Sequence, residues 1–189
     1  MSVSQDLPGR KPIISAFLAN FLSFGLTLFL LIHNQSYGAP KPVAELVKSI
    51  KPSVVTVVHE GRGEAKEGSG TGFVVGKNLI ATCLHVVGEA RPVHVRTADG
   101  RKLEVLAVHA WDRKLDLAVL RVKNADLKAL PLGDSKILAQ GSPVVAIGNP
   151  MGLTGSVVQG VLSARRKMES GEMLQLAIPV EPGNSGGPV

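Results

Sequence analysis

The sequence predicts an all-β fold of two antiparallel barrels, the second unfinished, standing behind an apolar N-terminal helix. Three observations carry that expectation. From residue 52 onward, short β-branched runs follow one another, each closed by Gly, Asp or charged residues. Glycine, at 21 residues, and proline, at 12 of 189, supply the tight turns that many short strands require. No long helical pattern separates the runs, so the crossovers of a parallel sheet are lacking.

Taken in order, residues 1–39 read as a short cytoplasmic stub, a membrane helix and a linker. Ile13 to Ile32 is apolar throughout and follows Arg10 and Lys11. At about 1.5 Å per residue it reaches about 30 Å, the thickness of a bilayer core. That length favours an uncleaved signal anchor over a cleaved leader, although Ser36-Tyr37-Gly38 offers small residues to a signal peptidase. Pro42 to Ile50 reads as a brief amphipathic helix with Val43, Leu46, Val47 and Ile50 on one face. SVVTVVHE, GTGFVVG, NLIAT, PVHVRT, KLEVLAVHA and LAVLRV then make six strands, enough for a small closed barrel over about 52–123. A connector near Asn124 to Gln140 leads to PVVAIG, GSVVQGVLSA and EMLQLAIPV, a partial second barrel over about 141–189.

Composition narrows the function classes. A formal charge of +6 raises the question of nucleic acid, but the basic residues are scattered and aromatics for base stacking are only 4%. A solvated basic surface is the expectation, with no nucleic-acid partner. One cysteine, Cys83, excludes an intramolecular disulfide, so the core alone must hold an exported domain. No His/Cys/Asp run has zinc-ligand spacing, and neither a metal nor an organic cofactor is expected.

The chemistry concentrates near the last residues, Pro182-Gly183-Asn184-Ser185-Gly186-Gly187-Pro188. A serine hydroxyl is a weak nucleophile until a base takes its proton. Glycine neighbours admit a substrate carbonyl and allow adjacent N–H groups to aim at one point. Gly183, Asn184 and Ser185 are the expected oxyanion hole, with the Gly183 and Ser185 N–H groups as donors. The string also fits the G-x-S-x-G elbow of α/β-hydrolases. There, however, the acid and the histidine follow the serine, and only four residues follow Ser185 here. The base must lie upstream. His33 flanks the apolar segment, and His59, His94 and His109 sit within strand patterns. His85 differs, standing where NLIAT ends and a turn or short helix begins. For the carboxylate that orients the imidazole, Asp116 directly precedes the apolar run LAVLRV and is expected to be drawn inward toward a partner. Asp112, Asp99 and Asp134 read as turn acids.

His, Asp, Ser is the chain order of chymotrypsin-like proteases, and the words around the three residues resemble the HtrA (Deg) family of serine proteases. GSGTGFVV, T-x-x-H-V around His85, D-x-x-x-D-x-A-V-L around Asp116, VVAIGNPMG at 144–152 and PGNSGGPV around Ser185 occur in the family's order from Glu67 to Val189. The resemblance implies a chymotrypsin-like pair of six-stranded antiparallel barrels, a protease domain over 40–189, and a triad of His85, Asp116 and Ser185 in the cleft between barrels. It further implies cleavage of unfolded or damaged polypeptides, preference for small aliphatic residues, homotrimers, and a periplasmic location, anchored to the inner membrane or secreted. Cys83-Leu84, Met151 and Glu181 depart from the usual pattern. Closing strands of the second barrel and a PDZ domain would follow in a full family member, so the chain reads as a truncated gene or fragment. The competing expectation is an inactive or chaperone-like module of protease fold that binds polypeptides without cutting them.

Overall fold

Alternation of small and β-branched residues decides which face of each strand is buried, and in the computed structural model that alternation closes a barrel. The structure describes residues 42–60, 67–88, 92–149, 155–169, 171–179 and 181–189. Helix α1 (Val43–Ile50) follows Pro42, whose carbonyl accepts from the Glu45 and Leu46 amides. Val43, Leu46, Val47 and Ile50 are half-buried while the rest of the helix is exposed, the face expected from the sequence.

The barrel strands are β1 (Val54–His59), β2 (Gly68–Gly76), β3 (Leu79–Cys83), β4 (Val93–Arg96), β5 (Lys102–Asp112) and β6 (Leu117–Val122), closed in the order β1-β2-β3-β6-β5-β4. A short helix α2 (Leu84–Val87) follows β3. All pairings are antiparallel, and register shifts in β2 and β5 give the bends that closure needs. Val55, Val57, Val74, Ile80, Val95 and Leu120 fill the interior at 0% exposure. Val86 and Val87 of α2 pack onto the same core.

The second strand series, expected as part of an unfinished second barrel, is an open sheet among the described residues. Strands β7 (Pro143–Gly148), β8 (Ser156–Met168) and β9 (Gly171–Ala177) form an open three-stranded antiparallel sheet in the order β7-β8-β9. Ile147 and Leu162, each 1% exposed, are its most buried large side chains. The apolar segment 13–32, its linker and the first residues of the chain lie outside the described residues. Among the described residues, no helix is long and apolar enough to cross a membrane.

Candidate active site

At one mouth of the barrel, strand pairing brings together residues far apart in sequence. Cys83 ends β3 opposite Leu117, the first residue of β6, so α2 and the β5–β6 turn are neighbours. His85 lies on the first turn of α2, and Asp116 is the last residue of the turn, with φ of 51°. That left-handed backbone swings its carboxylate off the strand axis, toward α2. The His85 amide donates to Asp116 Oδ1 (2.9 Å) and the ring Nδ1–H donates to Oδ2 (2.5 Å). The Leu84 amide donates to the Asp116 carbonyl at 2.9 Å. Three bonds thus fix one carboxylate and one imidazole in register.

The expectation that Asp116 is drawn into the interior is not met. Its side chain is 46% exposed and that of His85 58% exposed, because the positive φ aims the acid along the rim. Partial burial pushes the Asp116 carboxyl up. The ring and amide hydrogen bonds of His85, the charge of that ring and the Cys83 thiol pull it down, and the net position lies below the ordinary carboxylate range. Burial pushes the Cys83 thiol up, and the neighbouring Asp116 charge pushes it further.

Ser185 sits in a tight turn outside the barrel. The Asn184 amide donates to the Glu181 carbonyl and the Gly187 amide to the Asn184 carbonyl, each at 3.0 Å. Gly183 has φ of 100° and Gly186 of 83°. At Gly186 a side chain is excluded twice over, since a Cβ there would strike Thr71 O and Thr82 Oγ1 and lie 2.8 Å from Cys83 N. Ser185 is itself exposed. Among the described residues, the Gly183 and Ser185 amides have no backbone acceptor, whereas that of Asn184 is taken by its turn. The structure therefore gathers His85 and Asp116 into one hydrogen-bonded pair. Among the described residues, no hydrogen bond joins the Ser185 hydroxyl to that imidazole, and such bonds often tighten only when substrate binds.

What ties the serine turn to the barrel is Thr71, a residue that the sequence reading left unassigned. The Thr71 amide donates to Ser185 O (2.8 Å) and its hydroxyl to Gly183 O (2.6 Å). The same hydroxyl accepts from the Asn149 amide (2.8 Å), and the Thr71 carbonyl accepts from Thr82 Oγ1 (2.6 Å). Thr71 is 0% exposed. The hydroxyls set between glycines in GSGTGF, Ser69 and Thr71, were the available signal. The other strand histidines have structural settings: His59 Nδ1 faces the Val86 carbonyl at 3.0 Å, His94 is buried, and His109 meets Arg121. A cleft of about 170 Å³ opens beside Ser185, lined by Ile147, Val158, Ile178, Asn184 and Val189 among others. Larger cavities of about 370 and 420 Å³ lie beside α1 and between the end of α2 and strands β4–β5, and Ser185 lines neither.

Residues 70–189 match the trypsin-like peptidase domain family. Over 135 residues the chain is 39% identical to a probable periplasmic serine endoprotease, DegP-like, of Halomonas elongata, covering 69% of this chain and 28% of that protein. A DegP-like relative from Pseudomonas fluorescens is 36% identical across 100% of this chain and 37% of its own length. The mitochondrial serine protease HTRA2 of Bos taurus is 35% identical over 78% of this chain and 35% of its own. A crystal structure of the serine endoprotease from Yersinia pestis superposes with a TM-score of 0.67 at 32% identity, covering 79% of this chain and 53% of that one. The chain belongs to the trypsin-like peptidase domain family. Within it, the relatives and the solved structure are those of the HtrA, or DegP-like, serine endoproteases, the group its sequence words resemble. It spans little more than a quarter to little more than a third of the length of these curated relatives.

Proposed function

We propose that this chain carries the site of a serine-type endopeptidase that cuts unfolded or damaged polypeptides through an acyl-enzyme. The observation that carries the reading is the Asp116 carboxylate, held at both oxygens by one histidine. With Nδ1–H committed to Asp116, the neutral ring keeps its lone pair on Nε2, the tautomer a general base needs. Ser185 Oγ attacks the peptide carbonyl as His85 Nε2 takes its proton, and Asp116 stabilises the imidazolium that forms. The Gly183 and Ser185 amides, joined through Asn184, receive the developing oxyanion. His85 then returns the proton to the leaving amine, and water hydrolyses the acyl group. The apolar cleft beside Ser185 suits a small aliphatic side chain before the cut.

A periplasmic location is supported by the periplasmic relatives and by the apolar segment 13–32, read as an inner-membrane anchor or export signal, and a role in protein quality control is part of the same proposal. Homotrimer assembly belongs to the same proposal. A fluorophosphonate probe tests the nucleophile: wild type is labelled, Ser185→Ala and His85→Ala are not. Labelling that persists in Ser185→Ala refutes the assignment. A second reading is a polypeptide-binding module that does not cleave, in which the exposed Ser185 hydroxyl is not activated by His85. It predicts suppressed aggregation of unfolded casein without hydrolysis, whereas the peptidase reading predicts fragments.

A further inference from the structure

We propose that Cys83, His85 and Asp116 form a binding site for a thiophilic divalent cation of the Zn²⁺ class, whose occupancy switches the imidazole out of its role as base. A ligand atom from each of the three side chains lies within 4.8 Å of the others. Thiolate, imidazole and carboxylate are the donor set that zinc prefers, and the sulfur disfavours Mg²⁺ and Ca²⁺. Sequence spacing hides the set, because Asp116 stands 31 residues beyond His85. Pairing of β3 with β6 brings it back beside Cys83.

The framework suits a cation. Asp116 Oδ1 is anchored by the His85 amide, and Oδ2, which accepts from the His85 ring, is the oxygen that would exchange that hydrogen bond for the cation. Cys83 is fixed at the end of a barrel strand. The Nδ1–Oδ2 separation of 2.5 Å must open to about 3.3 Å for metal bonds near 2.0–2.2 Å in a tetrahedral arrangement. The His85 side chain, more than half exposed, has room to make that rotation. The same exposure leaves a fourth position for water.

Binding balances simply. The thiol gives its proton to solvent, sulfur and Nδ1 donate lone pairs to the cation, and the proton formerly on Nδ1 is replaced by one on Nε2. An Nε2–H cannot accept from Ser185, so the metal blocks proton transfer without covering the serine. This blocking rests on the peptidase reading; cation binding does not.

The experiment adds Co²⁺ or Zn²⁺ to the purified full chain, to Cys83→Ala and to Cys83→Ser. It follows the thiolate-to-cobalt charge-transfer band and, separately, zinc-dependent loss of fluorophosphonate labelling, each variant being compared with its own metal-free labelling. One cobalt per chain with a charge-transfer band, absent from both variants, is expected. So is labelling suppressed by zinc, restored by chelator, and roughly 100-fold less zinc-sensitive in Cys83→Ala. No charge-transfer band in wild type overturns the site. A band with undiminished labelling overturns the blocking. Labelling that is absent even without metal sinks the peptidase reading and leaves the cobalt result to decide the site alone.

Discussion

Replacing Thr71 with valine keeps the shape of the side chain and deletes the hydroxyl that holds the Ser185 turn to the barrel. Two partners lose their hydrogen bonds: the Asn149 amide, on a residue 2% exposed, and the Gly183 carbonyl. A buried polar group left without a partner costs about 1–3 kcal/mol, the cost expected at the Asn149 amide, while the half-buried Gly183 carbonyl adds less. A domain of ordinary stability has only about 5–15 kcal/mol in total. The Thr71 amide still donates to Ser185, so the turn stays tethered at one point and loosens at the other. Urea unfolding of Thr71→Val is expected to shift to a lower midpoint with unchanged slope. Fluorophosphonate labelling at denaturant concentrations where the variant remains folded is expected to slow. Thr71→Ser, which keeps the hydroxyl, restores both. A Thr71→Val protein as stable as wild type and labelled as fast would refute the role given to this hydroxyl.

Gly186→Ala puts a Cβ against Thr71 O and Thr82 Oγ1 at a φ of 83°, and loss of Ser185 labelling with a lowered melting temperature is expected. Leu120→Ala empties a fully buried barrel position and should cost about 2–5 kcal/mol in denaturant unfolding. Asp116→Asn removes the acceptor that selects the Nδ1–H tautomer, and peptide hydrolysis should fall by about 10⁴-fold. Because the folded Asp116 carboxyl lies below its unfolded value, its stabilisation is present above the ordinary carboxylate range. It is lost as pH falls through the folded value, so the acid limb of a stability–pH curve below about pH 4 should flatten in Asp116→Asn.

How much of this was legible depended on the range of the interaction concerned. Strands β6 and β7 coincide with the apolar runs LAVLRV and PVVAIG because period and turn signals are local. Helix α2 appears where the sequence marks a strand end before His85. The rim position of Asp116 was not legible, since it follows from a positive φ that only the closed β5–β6 hairpin imposes. Thr71 was hidden for a similar reason: its partners at Gly183 and Asn149 lie 112 and 78 residues away. Local pattern identifies hydroxyls between glycines, but not the remote carbonyl that such a hydroxyl holds.

The Ser185 segment also explains why barrel and sheet must act as a unit. It receives little from its own turn beyond the Asn184 and Gly187 bonds. On one side, Thr71 of β2 holds the Ser185 and Gly183 carbonyls; on the other, the Ile147 amide of β7 donates to the Pro188 carbonyl at 3.1 Å. The segment is therefore a strut between two sheets, and Gly148 is the contact where a Cβ would strike Asn184. His85 and Asp116, by contrast, are positioned wholly by the barrel. Loosening β7 should therefore misplace the serine while leaving the His85–Asp116 pair intact. Ile147→Ala, which opens a cavity at a residue 1% exposed, is expected to abolish labelling under conditions where the downfield Nδ1–H proton resonance of His85 survives. Simultaneous loss of both signals at low denaturant would mean that barrel and sheet unfold as one, and that the strut is not the weaker link.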